Sequence, residues 1–214
     1  MSRRIVIVAG GEVSPEDWNL LVPSDEVIGV DGGLLFLREE GIRPSLAVGD
    51  FDTVNPVEID RLKREEIPVK KLPEAKDMTD TQYAVETALG RFPEEILILG
   101  GLGGSRFDHA LANLFLLERV EEAGVRCTLR HGRNRVRLCR GGDQMTIRSG
   151  EFRYVSLLAL TDRVEGLTLR GFLYPLTDAV LTRSRPLGIS NELTDDTGRI
   201  FLKSGKLVVI ESRD

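Results

Sequence analysis

The stretch Ile96-Leu97-Ile98-Leu99-Gly100-Gly101-Leu102-Gly103-Gly104, residues 96–104, is a run of large aliphatic residues followed at once by glycines. Such a run is typical of a strand buried on both faces of a parallel sheet, and the glycines predict a tight turn at its end. A helix is predicted next, from its capping residue Asp108 to about Glu122, with Gly124 as its stop. The segment therefore predicts a strand–loop–helix unit, the building block of an α/β domain.

The same alternation of strand and helix fills the chain before this stretch. Buried strands are predicted at residues 5–9 and 27–30, further strands at 46–48 and 69–72, and helices from residue 34 to near residue 41, at 57–65 and at 79–91. Strands that alternate with helices pack as a parallel sheet with helices on both faces. We therefore expect a Rossmann-like α/β domain whose ligands bind beyond the carboxyl ends of its strands.

The pattern changes after about Arg133, where no long helical periodicity follows. Short strand candidates are separated by turn residues such as Gly141-Gly142-Asp143 and Asp195-Asp196-Thr197-Gly198. The candidates are Asn134–Cys139, Gln144–Ile147, Tyr154–Ala159, Leu167–Leu169 and Leu207–Ile210. This pattern of short strands separated by turns predicts a small antiparallel β-sandwich or barrel. We expect an α/β domain at residues 1–133 and a β domain at residues 134–214.

The composition argues against several classes of function. The 214 residues carry a formal net charge of −5, whereas nucleic-acid binders are more often basic, so we expect no nucleic-acid partner. The apolar runs fall far short of the ~20 residues that a membrane helix needs, so we expect no membrane association. Without a signal-peptide pattern, a cytoplasmic protein is expected. Cys127 and Cys139 lie outside metal-ligand spacing and are predicted to be reduced and packed in strands.

Aspartates stand at the ends of predicted strands and at the start of a predicted helix. Asp31 closes one strand, and Asp50 and Asp52 follow another, two apart, so that an extended backbone would project both carboxylates to one side. Asp77 and Asp80, three apart, lie at a helix start. So many negative charges in one place are unfavourable without a cation, and hard oxygen ligands favour Mg²⁺ or Ca²⁺. The alternative for each single residue is an ordinary cap or turn former.

The glycines at residues 100–104 lie where a backbone can approach a phosphate closely. Arg106 follows and could bind phosphate oxygens with its forked guanidinium group. The run matches neither the dinucleotide fingerprint nor the Walker A pattern, and glycine also occurs in such turns for steric reasons alone. His109 is either a nucleotide contact or a simple residue of the capping turn, and His131, without a motif around it, is predicted to be structural.

Together these motifs resemble the thiamine pyrophosphokinase family. The resemblance rests on five segments that occur in order along nearly the whole chain. They are Asp31-Gly32-Gly33, Gly49-Asp50-Phe51-Asp52, Lys76-Asp77-Met78-Thr79-Asp80, Gly100 through Arg106-Phe107-Asp108-His109 with Asn113, and Gly188-Ile189-Ser190-Asn191-Glu192. Each segment alone is modest, but five in one order are specific.

The resemblance implies transfer of a diphosphate group from ATP to the hydroxyethyl oxygen of thiamine, giving thiamine diphosphate and AMP. It also implies a homodimer, with the β domain contributing to the thiamine site and to the dimer interface. The catalytic residues carried over are Asp31, Asp50, Asp52, Asp77 and Asp80, of which Asp50, Asp52 and Asp80 hold Mg²⁺. The ATP-binding residues are Lys76, Gly103, Gly104, Arg106, Asp108 and His109, and the thiamine-binding residues are Ser190 and Asn191.

The chain departs from the family's pattern at two points. Ser105 lengthens the usual glycine-glycine-arginine junction by one residue, which bears on the position of Arg106. Vertebrate members have a tryptophan near the C-terminus that contacts thiamine, whereas the only tryptophan here is Trp18. Phe201 or another apolar residue is expected in its place.

Two other functions stay open at the level of the sequence. Related enzymes with similar aspartate motifs diphosphorylate 6-hydroxymethyl-dihydropterin, and the pair Ser190-Asn191 favours thiamine over that acceptor. The second alternative is a nucleotide- or thiamine-binding protein without catalysis. The complete set of aspartates argues against it, because binding alone needs fewer carboxylates.

Overall fold

The computed structural model describes residues 3–52 and 54–214. The chain forms two compact units, one ending at Gly132 and the other running from Arg133 to Asp214. In the described part of the chain, no helix combines the length and the apolar character that a membrane crossing requires.

The first unit is built on a parallel sheet. Its strands are β1 (Arg4–Val8), β2 (Glu26–Val30), β3 (Leu46–Gly49), β4 (Val69–Lys71), β5 (Glu95–Leu99) and β6 (Arg126–His131). Neighbouring strands are parallel. Their order across the sheet is β6-β5-β1-β2-β3-β4, so β1 lies near the centre. After a charged first residue, β1 and β5 are aliphatic and buried to their ends, because both faces of the sheet are covered.

Helices cover both faces of this sheet, as predicted. They are α1 (Gly33–Glu39), α2 (Pro56–Arg64), α3 (Asp80–Leu89) and α4 (Phe107–Glu122), and a 3-10 helix (Pro15–Leu20) follows β1. On one face, Val6 and Val8 pack with Leu37 of α1. Alternation along β1 sends Ile5 and Ile7 to the opposite face, where α3 lies against β1, β2 and β3 and α4 packs on α3 and β6.

The predicted strands and helices of this unit are confirmed, with two differences. The sequence pattern does not predict β6, because charged residues at its ends interrupt the apolar run in Arg126–His131. Asp108 lies inside the first turn of α4, and Arg106 holds the capping position instead, without a side-chain cap bond. Thr79 caps α3, since its hydroxyl accepts from the Gln82 N–H at 3.1 Å.

The second unit is an antiparallel β-sandwich, as predicted. Its strands are β7 (Asn134–Arg140), β8 (Gln144–Arg148), β9 (Tyr154–Ala159), β10 (Arg163–Arg170), β11 (Leu176–Thr182), β12 (Gly188–Glu192), β13 (Thr197–Phe201) and β14 (Lys206–Ser212). Within the unit, the order β12-β9-β14-β7 forms one layer and β11-β10-β13-β8 the other. Leu157 and Val209 from the first layer share a core with Leu169 and Ile200 from the second.

The sequence pattern does not predict β11, β12 or β13, and in β11 and β12 irregular backbone interrupts the two-residue alternation. Asp178 within β11 and Ser190 within β12 have left-handed φ angles of 51° and 55°, and β12 shifts register against β9. Cys127 and Cys139 are buried and form no disulfide, as predicted.

Candidate active site

Loops that follow β1, β2 and β5 meet at the carboxyl edge of the parallel sheet, and glycines make the contact possible. A Cβ at Gly33 would collide with the Val8 carbonyl oxygen. One at Gly11 would collide with the carbonyl oxygens of Gly100 and Gly103. Only glycine lets these backbones approach so closely, so the sequence of the turns brings separate strand ends together.

Asp31, directly after β2, faces the loop that follows β3. Its N–H donates to the Val48 carbonyl at 3.0 Å, and its Oδ1 accepts from the Phe51 N–H at 3.3 Å. A Cβ at Gly49 would collide with the Asp31 carboxylate, so glycine makes room for it. Asp31 and Phe51 both have left-handed φ angles, 44° and 60°. Such conformations cost energy in non-glycine residues and cluster at functional sites.

The backbone from Asp50 to Asp52 is not extended, so the extended geometry expected from their spacing is wrong. The left-handed Phe51 turns the chain, and the Asp52 N–H donates to Asp50 Oδ1 at 3.2 Å. The two side chains still interact, although Asp52 is exposed and Asp50 is half-buried. A turn, and not strand alternation, therefore brings the carboxylates together.

Lys76 lies between two of the aspartates. Its Nζ is 3.0 Å from Asp50 Oδ2 and 3.0 Å from Asp80 Oδ2, and it donates to the Pro73 carbonyl at 3.1 Å. Because Asp80 is the first residue of α3, this ammonium group joins the start of the helix to the loop after β3. The second carboxylate oxygen of Asp80, Oδ1, is buried, and the described residues offer it no hydrogen-bond partner.

Burial and mutual repulsion change the proton affinities of these groups. Burial, followed by the negative charges of Asp80, Asp50 and Asp52, raises the pKa of Asp31 to about 7. The pKa of Asp50 is lowered: burial opposes that shift, but the hydrogen bonds from Lys76 and from the Asp52 backbone outweigh it. Hydrogen bonds to Asp80 and Asp50 raise the pKa of Lys76 against the opposing effect of burial.

Four predicted aspartates, Asp31, Asp50, Asp52 and Asp80, thus influence one another, and we call them the acidic cluster. Asp77 does not join them: it is exposed, and within the described residues it has neither an ion pair nor a hydrogen bond. Across residues 3–52 and 54–214, no three His, Cys, Asp or Glu side chains form a ready-made metal site. In this structure Lys76 supplies the positive charge between two of the carboxylates.

The loop after β5 has the conformation that its glycines predict. Gly100 and Gly104 have left-handed φ angles of 66° and 101°, which glycine adopts without strain. Asn113 of α4 is buried, and its Nδ2 donates to the Gly101 carbonyl at 2.9 Å. The helix therefore fixes the shape of the glycine loop.

Arg106, Asp108 and His109 are exposed at the start of α4. Arg106 Nε donates to Asp108 Oδ1 at 3.2 Å, and a second hydrogen bond joins Arg106 Nη2 to Asp108 Oδ2. These bonds lower the pKa of Asp108 to about 2. Among the residues described, no hydrogen bond or ion pair links these side chains to the acidic cluster, so the structure does not bring the two predicted groups into contact.

The sequence pattern does not predict the surroundings of His131, which ends β6 beside the glycine loop. A Cβ at Gly103 would lie 2.9 Å from His131 Cε1, and the buried Nδ1 of His131 has no hydrogen-bond partner among the described residues. Next to it, Arg130 Nε donates to Asp17 Oδ1 at 2.9 Å and the Gly132 N–H donates to Asp17 Oδ2 at 2.7 Å. The position of Arg130 and His131 at the carboxyl end of a strand is the signal that could have found them, but the pattern does not predict that strand.

Ser190 and Asn191 lie in β12 of the second unit and differ in exposure. Ser190 is exposed, whereas Asn191 is 4% exposed. Asn191 Oδ1 accepts from the N–H groups of Tyr174 and Glu192, both at 3.0 Å, and Nδ2 donates to the Tyr174 carbonyl at 2.9 Å. The structure therefore leaves the Ser190 side chain at the surface, while both polar atoms of the Asn191 side chain bind backbone.

Two family models match this chain. The model described as "Thiamin pyrophosphokinase, catalytic domain" matches residues 18–129. The model described as "Thiamin pyrophosphokinase, vitamin B1 binding domain" matches residues 144–207. A protein from Bacillus subtilis named "Thiamine pyrophosphokinase" is 33% identical, and the match covers 99% of this chain and 100% of that protein.

Solved structures show the same likeness. The crystal structure of thiamine pyrophosphokinase from Bacillus subtilis gives a TM-score of 0.92 at 33% identity, covering 99% of this chain and 100% of that one. The structure of thiamin pyrophosphokinase from Geobacillus thermodenitrificans gives a TM-score of 0.88 at 30% identity, covering 99% and 98%. The yeast thiamin pyrophosphokinase, with a TM-score of 0.83, 14% identity and 99% and 87% coverage, is similar in fold.

Proposed function

Because this chain belongs to the thiamine pyrophosphokinase family, whose activity is diphosphate transfer from ATP to thiamine, we propose that the acidic cluster is where this transfer takes place. The products are thiamine diphosphate and AMP. The observation that supports the placement is the meeting of carboxylates from three separate segments at the carboxyl edge of the parallel sheet. Ligands of such sheets bind at that edge.

Mg²⁺ is the proposed metal, held by Asp50, Asp52 and Asp80. These residues fit a cation in two respects: Asp80 Oδ1 is buried without a hydrogen-bond partner among the described residues, and Lys76 lies as a positive charge between Asp50 and Asp80. Carboxylates are hard ligands, and Mg²⁺ characteristically combines a few of them with waters and substrate phosphates. When bound, the ion supplies positive charge that offsets the charge of the triphosphate.

The ATP phosphates are proposed to lie between the acidic cluster and the glycine loop. Gly103 and Gly104 present backbone there, and Lys76 supplies an ammonium group. Arg106, Asp108 and His109 form the outer part of the ATP site. Arg106 exchanges its neighbour Asp108 for phosphate oxygens, which a guanidinium group binds in a bidentate manner.

In the proposed reaction, the thiamine hydroxyl oxygen attacks the β-phosphorus of ATP and the bond from that phosphorus to the bridging α–β oxygen breaks. AMP leaves, and a carboxylate of the acidic cluster accepts the hydroxyl proton. Burial raises the pKa of Asp31 to about 7, close to neutral pH, which suits a proton acceptor. Asp77, the remaining aspartate proposed as catalytic, is exposed and lies outside the cluster. The protein positions both substrates and offsets negative charge, as in other phosphate transfers.

The roles of the two units belong to the same proposal. Residues 1–133 are a Rossmann-like nucleotide domain, and residues 134–214 contribute to the thiamine site and to the interface of a homodimer in the cytoplasm. Sedimentation equilibrium tests the dimer. A mass near twice 23.8 kDa supports it, and a monomer at micromolar concentration contradicts it.

Mass spectrometry of the products tests the proposed function. The protein is incubated with ATP, Mg²⁺ and thiamine, and in parallel with 6-hydroxymethyl-dihydropterin in place of thiamine. Equal amounts of thiamine diphosphate and AMP, formed only with Mg²⁺ present, are the expected result. AMP release that the pterin stimulates and thiamine does not would contradict the acceptor, and binding of both substrates without product would contradict catalysis.

A further inference from the structure

The second unit is basic, although the chain as a whole is acidic. Residues 133–214 contain 14 lysines and arginines against 10 aspartates and glutamates, a formal charge of +4, whereas the whole chain carries −5. A difference in charge between two parts of one chain bears on what each part attracts. The second unit can therefore bind anions that the total charge of the protein would disfavour.

Three arginines of this unit share one face of a sheet. In the layer β11-β10-β13-β8, Arg170 of β10 stands opposite Arg199 of β13, and Arg148 of β8 stands opposite Thr197, two residues before Arg199. Opposite residues of an antiparallel pair project to the same face, and so do residues two apart along a strand. The three arginine side chains therefore lie on one face and all are exposed, and we call them the arginine patch.

The arginine patch lies on the outer face of the layer and on regular strands. Leu169, Ile200 and Ile147, each next to one of the arginines in the sequence, are buried in the core of the sandwich. The pairing of β13 with β8 and with β10 has no shift of register at these positions. Side chains that are opposite or diagonal neighbours in such a sheet start from Cβ atoms ~5–8 Å apart. The sheet thus holds three guanidinium groups within reach of one small ligand.

The arginine patch lacks acidic partners. Within residues 3–52 and 54–214, no carboxylate forms an ion pair or a hydrogen bond with it, although Asp195 and Asp196 lie in the turn before β13. Three other exposed arginines of the unit do have acidic partners: Arg153 with Glu192, Arg163 with Glu165, and Arg183 with Asp162. Like charges directly opposite each other destabilise an antiparallel pair, so Arg170 and Arg199 lower stability where their neighbours support it.

We propose that the arginine patch binds a linked di- or triphosphate group, at a site distinct from the acidic cluster. A guanidinium group binds phosphate oxygens in a bidentate manner, and several of them neutralise the charge of a short phosphate chain. Thr146 and Thr197 stand on the same face and offer hydroxyl donors to the same ligand. The patch contains no residue of the proposed transfer site, so the inference does not depend on the proposed function.

Charge and size favour a small oligophosphate over larger partners. Proteins that bind nucleic acid strongly make about 6–10 phosphate contacts, whereas the arginine patch supplies three positive charges. A second copy of this chain would bring the same surface together around a two-fold axis, where arginines would meet arginines. Neither partner matches the patch as well as a ligand with two or three linked phosphates does.

Calorimetric titration with inorganic triphosphate in EDTA tests the site. Chelation removes the metal ions that would help the acidic cluster to hold phosphates. Arg199→Gln and Arg170→Gln should each weaken binding about tenfold, through loss of one charged group that donates hydrogen bonds. Arg163→Gln is the matched control, because it removes an exposed arginine from the strand of Arg170 and changes the net charge equally, but this arginine is paired with Glu165. Its affinity should stay within about twofold of the wild type.

Thermal unfolding in EDTA at low salt gives a second, independent measurement. Arg199→Thr removes the charge opposite Arg170 and keeps a residue that favours strands. Without the anion, its Tm should rise by about 1–3 °C, because a repulsive cross-strand pair is relieved. Triphosphate should raise the Tm of the wild type and leave that of the variant nearly unchanged. A lower Tm in Arg199→Thr without the anion would contradict the repulsion on which the proposal rests.

Three outcomes of the titration would overturn the proposal. Equal weakening in Arg163→Gln would show a response to net charge alone. Triphosphate binding that Arg199→Gln and Arg170→Gln leave unchanged would place the ligand elsewhere in the protein. Tighter binding of single-stranded DNA than of triphosphate, lost in the same variants, would identify the patch as a surface for nucleic acid.

ATP in the same titration distinguishes the two sources of the ligand. Equal affinities for ATP and inorganic triphosphate indicate that the phosphate chain is sufficient, and tighter binding of ATP indicates a nucleotide. The KM for ATP in thiamine diphosphate formation should be unchanged in Arg199→Gln, and a tenfold rise would show that the patch belongs to the catalytic site. A wild-type protein that binds triphosphate at the patch but forms no thiamine diphosphate would contradict the proposed function alone.

Discussion

Two groups of charges in the first unit differ in how completely they are paired. Asp17 is fully buried, and its two carboxylate oxygens accept hydrogen bonds from Arg130 and from the Gly132 N–H. In the acidic cluster, Lys76 bridges Asp50 and Asp80, and Asp80 Oδ1 lacks a partner in the described part of the chain. The first group is balanced within the protein, whereas the second carries excess negative charge.

The difference separates a structural ion pair from a site that needs a cation. The Asp17–Arg130 pair connects the 3-10 helix to the end of β6, across 113 residues of sequence. In this pair each buried charge is compensated by its partner. The acidic cluster instead keeps the Asp31 carboxylate where burial and repulsion oppose its ionisation, so at neutral pH Asp31 lowers the stability of the metal-free protein. Groups that break a stability rule in this way are expected at functional sites.

Asp17→Asn should break the structural pair and give the largest effect. It removes the negative charge opposite Arg130, whose side chain is 3% exposed. Loss of one partner of a buried pair typically costs about 3–5 kcal/mol, and we expect the free energy of unfolding in urea to fall by that amount. The control is Glu86→Gln, which breaks the surface pair with Arg119 and should cost about 1 kcal/mol or less. Equal losses in the two variants would contradict the comparison.

Asp52→Asn should disable the acidic cluster while leaving the fold intact. The substitution removes a proposed metal-binding carboxylate and keeps the shape of the side chain. Formation of thiamine diphosphate should fall on the order of 10²- to 10³-fold, as when one group that stabilises transition-state charge is lost. Because Asp52 is exposed, the free energy of unfolding should change by about 0.5 kcal/mol or less. Near-normal AMP release would remove Asp52 from the metal site.

Lys76→Met tests whether the lysine stands in for a metal ion. Its removal leaves Asp50 and Asp80 without their shared cation, and charged hydrogen bonds contribute about 1.5–3 kcal/mol, so the metal-free protein should lose stability on that scale. Mg²⁺ should recover much of the loss, because it supplies the missing charge. The measurement is the Tm in EDTA and in Mg²⁺. Exposed Lys63→Met is the control, and an equal Mg²⁺ response in both variants would refute the idea.

Asp31→Asn should stabilise the metal-free protein slightly. With the Asp31 pKa at about 7 in the folded state against 3.8 ordinarily, the folded state keeps a proton that the unfolded state has released between these values. Wild-type stability should therefore fall as the pH rises from about 4 to 7 and then level off. The variant lacks this term and should be more stable at pH 8 by about 1 kcal/mol, after allowance for partial exposure. Urea unfolding at pH 5 and pH 8 measures it, and a variant less stable than the wild type at pH 8 would contradict it.

The sequence by itself determined where the reactive residues stand on the backbone. A β-branched run ends at Asp31, another strand ends before Asp50, and Thr79 caps the helix that Asp80 begins. These features are local, because a residue's neighbours along the chain set the strand, the turn and the cap. The carboxyl ends of parallel strands share one edge, so the common location of the aspartates follows from the pattern as well.

Only the tertiary structure decided which groups these residues bind. Lys76 bridges Asp50 and Asp80, Asn191 binds the backbone of Tyr174, and Asp17 meets a residue 113 positions away. The tertiary structure also decided the backbone at Phe51, which is left-handed, whereas the spacing of Asp50 and Asp52 suggests extended geometry. Local pattern fixes the backbone state and the face of a residue, whereas the partner of a polar side chain depends on which distant backbone the packing brings within hydrogen-bond distance.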